Sequence, residues 1–427
     1  MAILVGALLL MLPFSTTSGR ISFVDAIFTS TSAVCVTGLI VQDTATYFTL
    51  TGQVIILLLI QLGGLGVMTF STMVLLVAGR KVAITERILV QEGFHPGSPP
   101  NFKALIKSVF FFTFSIEFIG FLFLFLRFYK DSPLPKAFYF SLFHAVSAFC
   151  NAGFSVYSNS LMSYRGDIFI NLTMIFLIIF GGLGFLVLRE LARFISGFIK
   201  GVRVQISLHS KLVLVMTSAL IVGSFGIFLA LEWNNSMNMF TLKEKILASL
   251  FQVVTPRTAG FSTMDLAPLS TAAVLLMFLL MFIGASPGST GGGVKTSTFG
   301  VLLAFIRSKI AARESVQLFY KTIPRDNVVK AFTVISLALS LIFVASFIVL
   351  VNQPTLLLKE VFFEVFSAFG TVGLSLGITP NLSPLSKTVT VLTMYAGRVG
   401  PLTLLYAFSR RRALGKFEYV EENVMIG

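Results

Sequence analysis

The sequence predicts an all-α polytopic membrane protein: four tandem repeats of span, re-entrant pore loop and span, eight transmembrane helices in all, in pseudo-fourfold arrangement around one pore. Three observations carry that expectation. Of 427 residues, 56% are hydrophobic and 12% charged, with 46 phenylalanines, whereas a soluble domain carries about 25% charge. A short stretch, TSTSAVCVTGL from Thr29 to Leu39, returns as SLFHAVSAFCNAGF from Ser141, SLFQVVTPRTAGF from Ser249 and VFFEVFSAFGTVGL from Val361. Aligned on their last glycine, the copies put Gly38, Gly153, Gly260 and Gly373 in one column. Finally, most of the 32 basic residues fall in short clusters between apolar runs, as topology signals do.

Each unit reads as an apolar span, a shorter half-apolar segment ending in the glycine turn, and a second span. In the first, over residues 1–80, these are Ala2 to Phe14, Ser22 to Val36 and Gln53 to Ala78. The Ala2 to Phe14 run is similar to the apolar core of a secretory signal, but it has neither a basic leader nor a clear cleavage site, so it is read as a retained span. The second unit, 81–200, has Leu105 to Tyr129, Pro135 to Phe149 and Asp167 to Leu191. The third, 201–310, has Lys211 to Trp233, Thr241 to Thr255 and Ala272 to Ile306. The fourth, 311–427, has Val328 to Val351, Lys359 to Phe369 and Lys387 to Phe408, then a C-terminal tail. The middle segments are too short to cross about 30 Å of hydrocarbon and should be re-entrant. The positive-inside rule places the junctions and the tail, with Arg80, Lys81, Arg193, Lys200, Arg307, Arg325 and Arg410 to Arg412, in the cytoplasm. Both termini are then cytoplasmic, in a multi-pass plasma-membrane protein.

The glycine column is where chemistry is expected. Glycine adopts positive φ without penalty and lets backbone carbonyls approach a ligand closely, and four such turns around one axis would present rings of main-chain oxygens. That is how a cation filter replaces a hydration shell. The candidate contacts are Val36, Thr37 and Gly38; Asn151, Ala152 and Gly153; Thr258, Ala259 and Gly260; and Thr371, Val372 and Gly373. Each preceding helix would aim its negative C-terminal end at the lumen, which favours a cation. Ser-Ala recurs six and five residues before the glycine in three copies, at Ser32, Ser147 and Ser367.

The second spans are interrupted at comparable depth by GGLG (Gly63 to Gly66), GGLG (Gly181 to Gly184) and GRVG (Gly397 to Gly400). For the first two, close packing between membrane helices is a sufficient reason. In the third unit, IGASPGSTGGGVKTSTFG from Ile283 cannot be a continuous helix. A flexible loop over 283–298, with Ser286, Pro287, Gly288, Gly291, Gly292, Gly293 and Lys295, reads as a gate beneath the third turn. It misses a phosphate-binding loop because Val294 displaces Lys295 from the required position. Arg398 lies inside the last span, where a charge is expensive. It either faces the lumen, opposing a cation beneath the filter, or pairs with an acid to hold two spans together. Arg257, in the third turn, is expected to point away from the pore and brace the turn, Asp265 and Glu364 being candidate partners. Cys35 and Cys150 are expected to be free thiols, and His95, His144 and His209 have no metal-ligand spacing. No nucleophile, base or metal set converges, which argues against an enzyme, and the basic clusters lack the soluble domain that nucleic-acid binding would need.

Taken together, TSAVCVTGL, FCNAGFS, TPRTAGFST and FGTVGLS, with SPGSTGGGVKTST and GRVGP, resemble the four filter loops, the intramembrane gating loop and the arginine below the filter of the Ktr/Trk/HKT superfamily of potassium transporters. The resemblance covers nearly the whole chain and is strongest to the membrane subunit of Ktr systems, because the extra N-terminal pair of spans of Trk members is missing from this sequence. It implies potassium uptake, often sodium-stimulated, with potassium and secondarily sodium as the transported ions and no covalent cofactor. It also implies a homodimer with one pore per protomer and a cytosolic ring of RCK-type, KtrA-like subunits that carry the nucleotide; membrane lipid is a further partner. The single glycine per loop makes strict potassium selectivity a weaker expectation than the pore. The alternative from another class is an alternating-access, sodium-coupled secondary transporter of another small solute; the parallel sense of the repeats counts against inverted-repeat architecture.

Overall fold

The computed structural model describes residues 1–66 and 102–400, with side chains from 106 onward in the second block. Helices dominate: α1 (Ala2–Leu10), α2 (Phe23–Val34), α3 (Leu50–Leu65), α4 (Phe102–Phe128), α5 (Leu134–Phe149), α6 (Ile168–Leu183), α7 (Phe185–Ile199), α8 (Leu208–Glu232), α9 (Leu242–Val254), α10 (Thr271–Phe282), α11 (Thr296–Ile310), α12 (Arg325–Asn352), α13 (Leu358–Gly370) and α14 (Pro384–Val399). A two-residue antiparallel hairpin, Gln317–Leu318 with Lys321–Thr322, departs from the all-α expectation. Local chemistry sets most starts. Side chains of Ser22, Thr49, Asp167, Ser207, Thr241, Ser270 and Ser383 each accept a backbone N–H in the first turn of the helix they precede.

Among the described residues, α8, α12 and Ile106–Phe128 of α4 are long and apolar enough to cross a membrane, and only 33%, 28% and 33% of their most apolar windows are buried inside the molecule. Large apolar side chains such as Phe118, Val222 and Phe347 stand outward. In water that belt would be untenable; against acyl chains it is the normal surface of a helix bundle. The helices α2, α5, α9 and α13 have 12, 16, 13 and 13 residues. At 1.5 Å per residue they reach about 20 Å, short of a bilayer's hydrocarbon.

The packing is cyclic. The helix after each glycine turn lies against the short helix of the next unit: α3 on α5, α6 on α9, α10 on α13, and α14 back on α2. The circle closes through Lys387 Nζ, 2.7 Å from Asp25 Oδ1. The helices after the turns are broken rather than continuous. α6 and α7 meet at 106°, and Gly66, Gly184 and Gly400, with φ of 80°, 92° and 93°, end α3, α6 and α14. The expected continuous span from Asp167 to Leu191 is therefore two helices, because the left-handed glycine stops the first. The remainders of the spans expected to run to Ala78 and Phe408, with Arg80, Lys81 and Arg410 to Arg412, lie outside the described residues.

Candidate functional site

The short helices deliver their C-terminal ends to one place. A Cβ added to Gly38 would lie 2.5 Å from the carbonyl oxygen of Ala152, and one on Gly153 would lie 3.0 Å from that of Ala259. On Gly260 and Gly373 it would come nearer still to the oxygens of Val372 and Thr37. Each glycine thus presses against the carbonyl just before the next glycine, and the fourth returns to the first. The four turns form a closed ring of backbone. Their φ values of 89°, 71°, 77° and 92° lie where an L side chain is strained, so both conformation and space call for glycine.

The residues two positions earlier are also left-handed: Val36 at 54°, Asn151 at 58°, Thr258 at 72° and Thr371 at 50°. The residue between each pair has negative φ. This alternation breaks the regular helical hydrogen bonding just after each short helix. Three of these four residues are β-branched, the type least suited to positive φ, so the ring holds backbone strain of order 1–3 kcal/mol per residue.

Hydroxyls hold the strained turns. Ser32 Oγ accepts the Gly38 N–H at 3.0 Å and donates to the Leu39 carbonyl at 2.7 Å. Ser147 Oγ donates to Phe154 O at 2.8 Å, and Ser367 Oγ accepts Gly373 N–H at 3.0 Å. The third turn is one residue shorter and uses Thr255, whose Oγ1 donates to Phe261 O at 2.6 Å. The recurring Ser-Ala pair in the sequence marked these staples without disclosing their task. Asn151 ties the second turn to the third: with its amide oriented to satisfy both ends, it donates to Ala148 O (2.9 Å) and Ile178 O (3.2 Å) and accepts from Thr258 Oγ1 (3.1 Å).

The loop between α10 and α11 lies directly against these turns. Gly291 has no room for a Cβ beside Thr258 Oγ1, and the Gly292 N–H donates to Thr371 Oγ1 at 3.0 Å. The broken helices grip the loop from the sides. Ser286 N donates to Gly182 O (3.0 Å), Phe185 N to Gly288 O (3.0 Å) and Gly293 N to Gly397 O (3.2 Å), while Thr290 Oγ1 donates to Phe149 O (3.2 Å) and Gly181 O (3.1 Å). Lys295 folds back on its own loop, Nζ donating to Gly291 O at 2.7 Å, and Ser286 Oγ sits 2.9 Å from Thr296 Oγ1. Pro287 rests against Gly184.

Arg398 reaches both the loop and the first unit, donating from Nη1 to the Thr290 carbonyl and from Nη2 to the Gly63 carbonyl. Among the described residues it has no carboxylate partner, so its charge is met by main-chain dipoles. Glu117, a buried acid on α4, accepts from Gln61 Nε2 at 3.3 Å, with Cys150 Sγ 3.8 Å away. Gly63, Gly181 and Gly397 press on the carbonyls of Val34, Phe149 and Phe369, the close packing expected of the first two. Arg257 does turn away from the ring, but neither Asp265 nor Glu364 meets it. Its Nη2 donates to Thr217 Oγ1 at 3.1 Å on α8, and Glu364 is occupied by Ser375 (2.7 Å) and Thr379 (2.6 Å). Cys35 and Cys150 are free and buried. His144 is buried, with Nδ1 2.8 Å from Phe140 O and Nε2 3.0 Å from Ser155 Oγ.

The four short helices thus end at one closed ring of backbone turns inside a helical membrane protein. The comparisons with known proteins are specific. Residues 4–417 match the family model described as TrkH, cation transport protein. The chain is 40% identical over 413 residues to the Ktr system potassium uptake protein B of Bacillus subtilis, covering 96% of this chain and 91% of that one. It is 38% identical over 432 residues to the potassium/sodium uptake protein NtpJ of Enterococcus hirae, covering 100% and 94%. The crystal structure of the potassium transporter TrkH from Vibrio parahaemolyticus superposes with a TM-score of 0.71 at 21% identity, covering 91% of this chain and 79% of that one, and shares the fold. This chain belongs to the TrkH cation transport protein family, a family of transporters and not of enzymes.

Proposed function

We propose that this protein takes up potassium across the cell membrane through a filter of main-chain carbonyls supplied by its four glycine turns. The observation that carries the reading is the closed ring, in which the oxygens of Thr37, Ala152, Ala259 and Val372 each lie against the glycine of a neighbouring turn. Val36, Asn151, Thr258 and Thr371 supply a second level of carbonyls, and the cation sits among them with its water stripped. The C-terminal dipoles of α2, α5, α9 and α13 add a favourable potential.

The loop with Ser286, Pro287, Gly288, Gly291, Gly292, Gly293 and Lys295 is the gate, and Arg398 is its latch. The resting loop is held against Thr258 and Thr371, so opening requires it to leave contacts that are nearly all main-chain hydrogen bonds. Four repeats over 1–80, 81–200, 201–310 and 311–427 supply eight spans, with both termini in the cytoplasm. The names of the relatives support a Ktr-type system, and that of NtpJ supports a link to sodium; the remainder of our reading is a homodimer with a cytosolic nucleotide-binding subunit, and uptake stimulated by or coupled to sodium.

The test is reconstitution into liposomes with a potassium or a sodium gradient. Potassium flux that exceeds sodium flux, and a ratio that collapses on Gly153→Ser, is the expected result. Equal passage of the two ions by the unaltered protein sinks the filter assignment. Flux that requires a second solute sinks the pore in favour of alternating access.

A further inference from the structure

The geometry points to a binding site for the phosphate of an anionic phospholipid in a trough between α4 and α7, a part of the molecule remote in sequence from all four turns. An open cavity of about 740 Å³ is lined there by Lys107, Arg189, Arg193 and Lys200 together with Phe111 and Phe112. Four cations share one hollow, and among the described residues none of them forms an ion pair. Glu190, the acid beside Arg189, is already engaged by the backbone N–H of Ser207 at 3.0 Å. A converging cluster of positive charge with no acid paired to it among the described residues calls for an anion.

The rim decides which kind of anion. Phe111 is 68% exposed, and Ile195, Phe198 and Ile199 on α7 are 56%, 81% and 78% exposed. α7 leaves α6 at 106°, so it runs across the bundle axis and carries apolar side chains on one flank and Arg189, Arg193 and Lys200 on another. That is the pattern of a helix lying in the membrane interface, with its apolar flank among acyl chains. A cytosolic protein docked here would have to cover those apolar side chains as well as pair with the cations. A lipid satisfies both at once: its phosphate enters the basic trough and its chains cover Phe111, Phe198 and Ile199. Basic pockets between membrane helices are suited to such headgroups. α7 ends in a Schellman-type turn at Gly201, whose φ is 68°, with Val202 N donating to Gly197 O at 2.8 Å, and Gly197, Lys200 and Val202 of this turn line the trough.

The test uses the full-length protein in a neutral detergent, titrated with phosphatidylglycerol or with phosphatidylcholine. Retained lipid is counted by native mass spectrometry, and the thermal unfolding midpoint is followed in parallel. Phosphatidylglycerol is expected to be retained and to raise the midpoint, and phosphatidylcholine to do neither. Each cation removed weakens binding about fivefold, so Arg189→Gln with Arg193→Gln lowers phosphatidylglycerol affinity roughly thirtyfold, while Arg189→Lys with Arg193→Lys keeps most of it. If the glutamine pair fails to fold, Lys107→Gln with Lys200→Gln is read in the same way. Phosphatidylglycerol bound equally by the original and the glutamine variants overturns the site. Inorganic phosphate giving the same midpoint rise overturns it in favour of a free-anion site. Variants that keep the lipid and lose a cytosolic subunit assign the trough to protein docking instead. Because the readouts are lipid retention and stability, none of these outcomes depends on ion selectivity.

Discussion

Val36, Thr258 and Thr371 carry β-branched side chains at positive φ, and the hydroxyls that staple their turns are what keep them there. Replacing Ser147 by Ala removes a buried donor to Phe154 O and leaves that carbonyl unpaired, at a cost of about 1–3 kcal/mol. Ser147→Thr should retain the bond, since Thr255 already does this work in the third turn. Thermal unfolding in detergent should therefore show a lowered midpoint for the alanine variant only, with potassium-over-sodium flux falling alongside. A second residue-scale expectation concerns Arg257. Thr217→Val deletes the hydrogen bond of a buried guanidinium whose Nε and Nη1 have no partner among the described residues. The loss is about 1.5–3 kcal/mol, read as a lower unfolding midpoint; no change would mean that Thr217 does not brace the third turn.

At the scale of elements, the broken helices and the loop they hold behave as one unit. Gly181→Ala drives a methyl group into the Phe149 carbonyl and should destabilise by about 1–3 kcal/mol, whereas Gly223 and Gly226 of α8 face open space. Alanine there should be neutral or slightly stabilising, which makes the pair an internal control in the same unfolding assay. Arg398→Gln shortens the reach to Gly63 and Thr290. On the gate reading it raises potassium flux in liposomes several-fold at unchanged selectivity; flux that stays the same or falls would remove Arg398 as a latch.

Much of this was readable in advance. The short helices begin and end within a residue or two of the segments expected from Ser22, Pro135, Thr241 and Lys359, and at Ser22 and Thr241 the reason is a cap that acts locally. The four-membered column was legible because one backbone conformation demands one residue type. The second left-handed residue was not, since Val36, Asn151, Thr258 and Thr371 share neither size nor polarity. Nor could the partners of the loop be read: Thr290 meets Gly181 and Arg398 meets Gly63 across more than a hundred residues, by main-chain oxygens that every residue possesses. Arg257 misled for a related reason, as its partner proved to be a neutral hydroxyl on α8 rather than an acid.

For the whole molecule, the circle of units closes between the first and the last. Asp25 and Lys387 are 14% and 13% exposed, so their attraction is only partly screened. Asp25→Lys or Lys387→Asp alone should lower the unfolding midpoint by about 1–3 kcal/mol equivalent, and the double exchange should restore most of it, the coupling being measured as a double-mutant cycle. Additive losses would mean that α14 and α2 are held by packing alone.

That closure also bears on how the chain can be made. A ribosome feeds the units into the bilayer one after another, and three of them have no mutual seam that encircles an axis. Until the last helix swings back to the first, a nascent molecule has no complete ring of turns; with the conduit proposed above, synthesis then does not short-circuit the voltage across the membrane that hosts it.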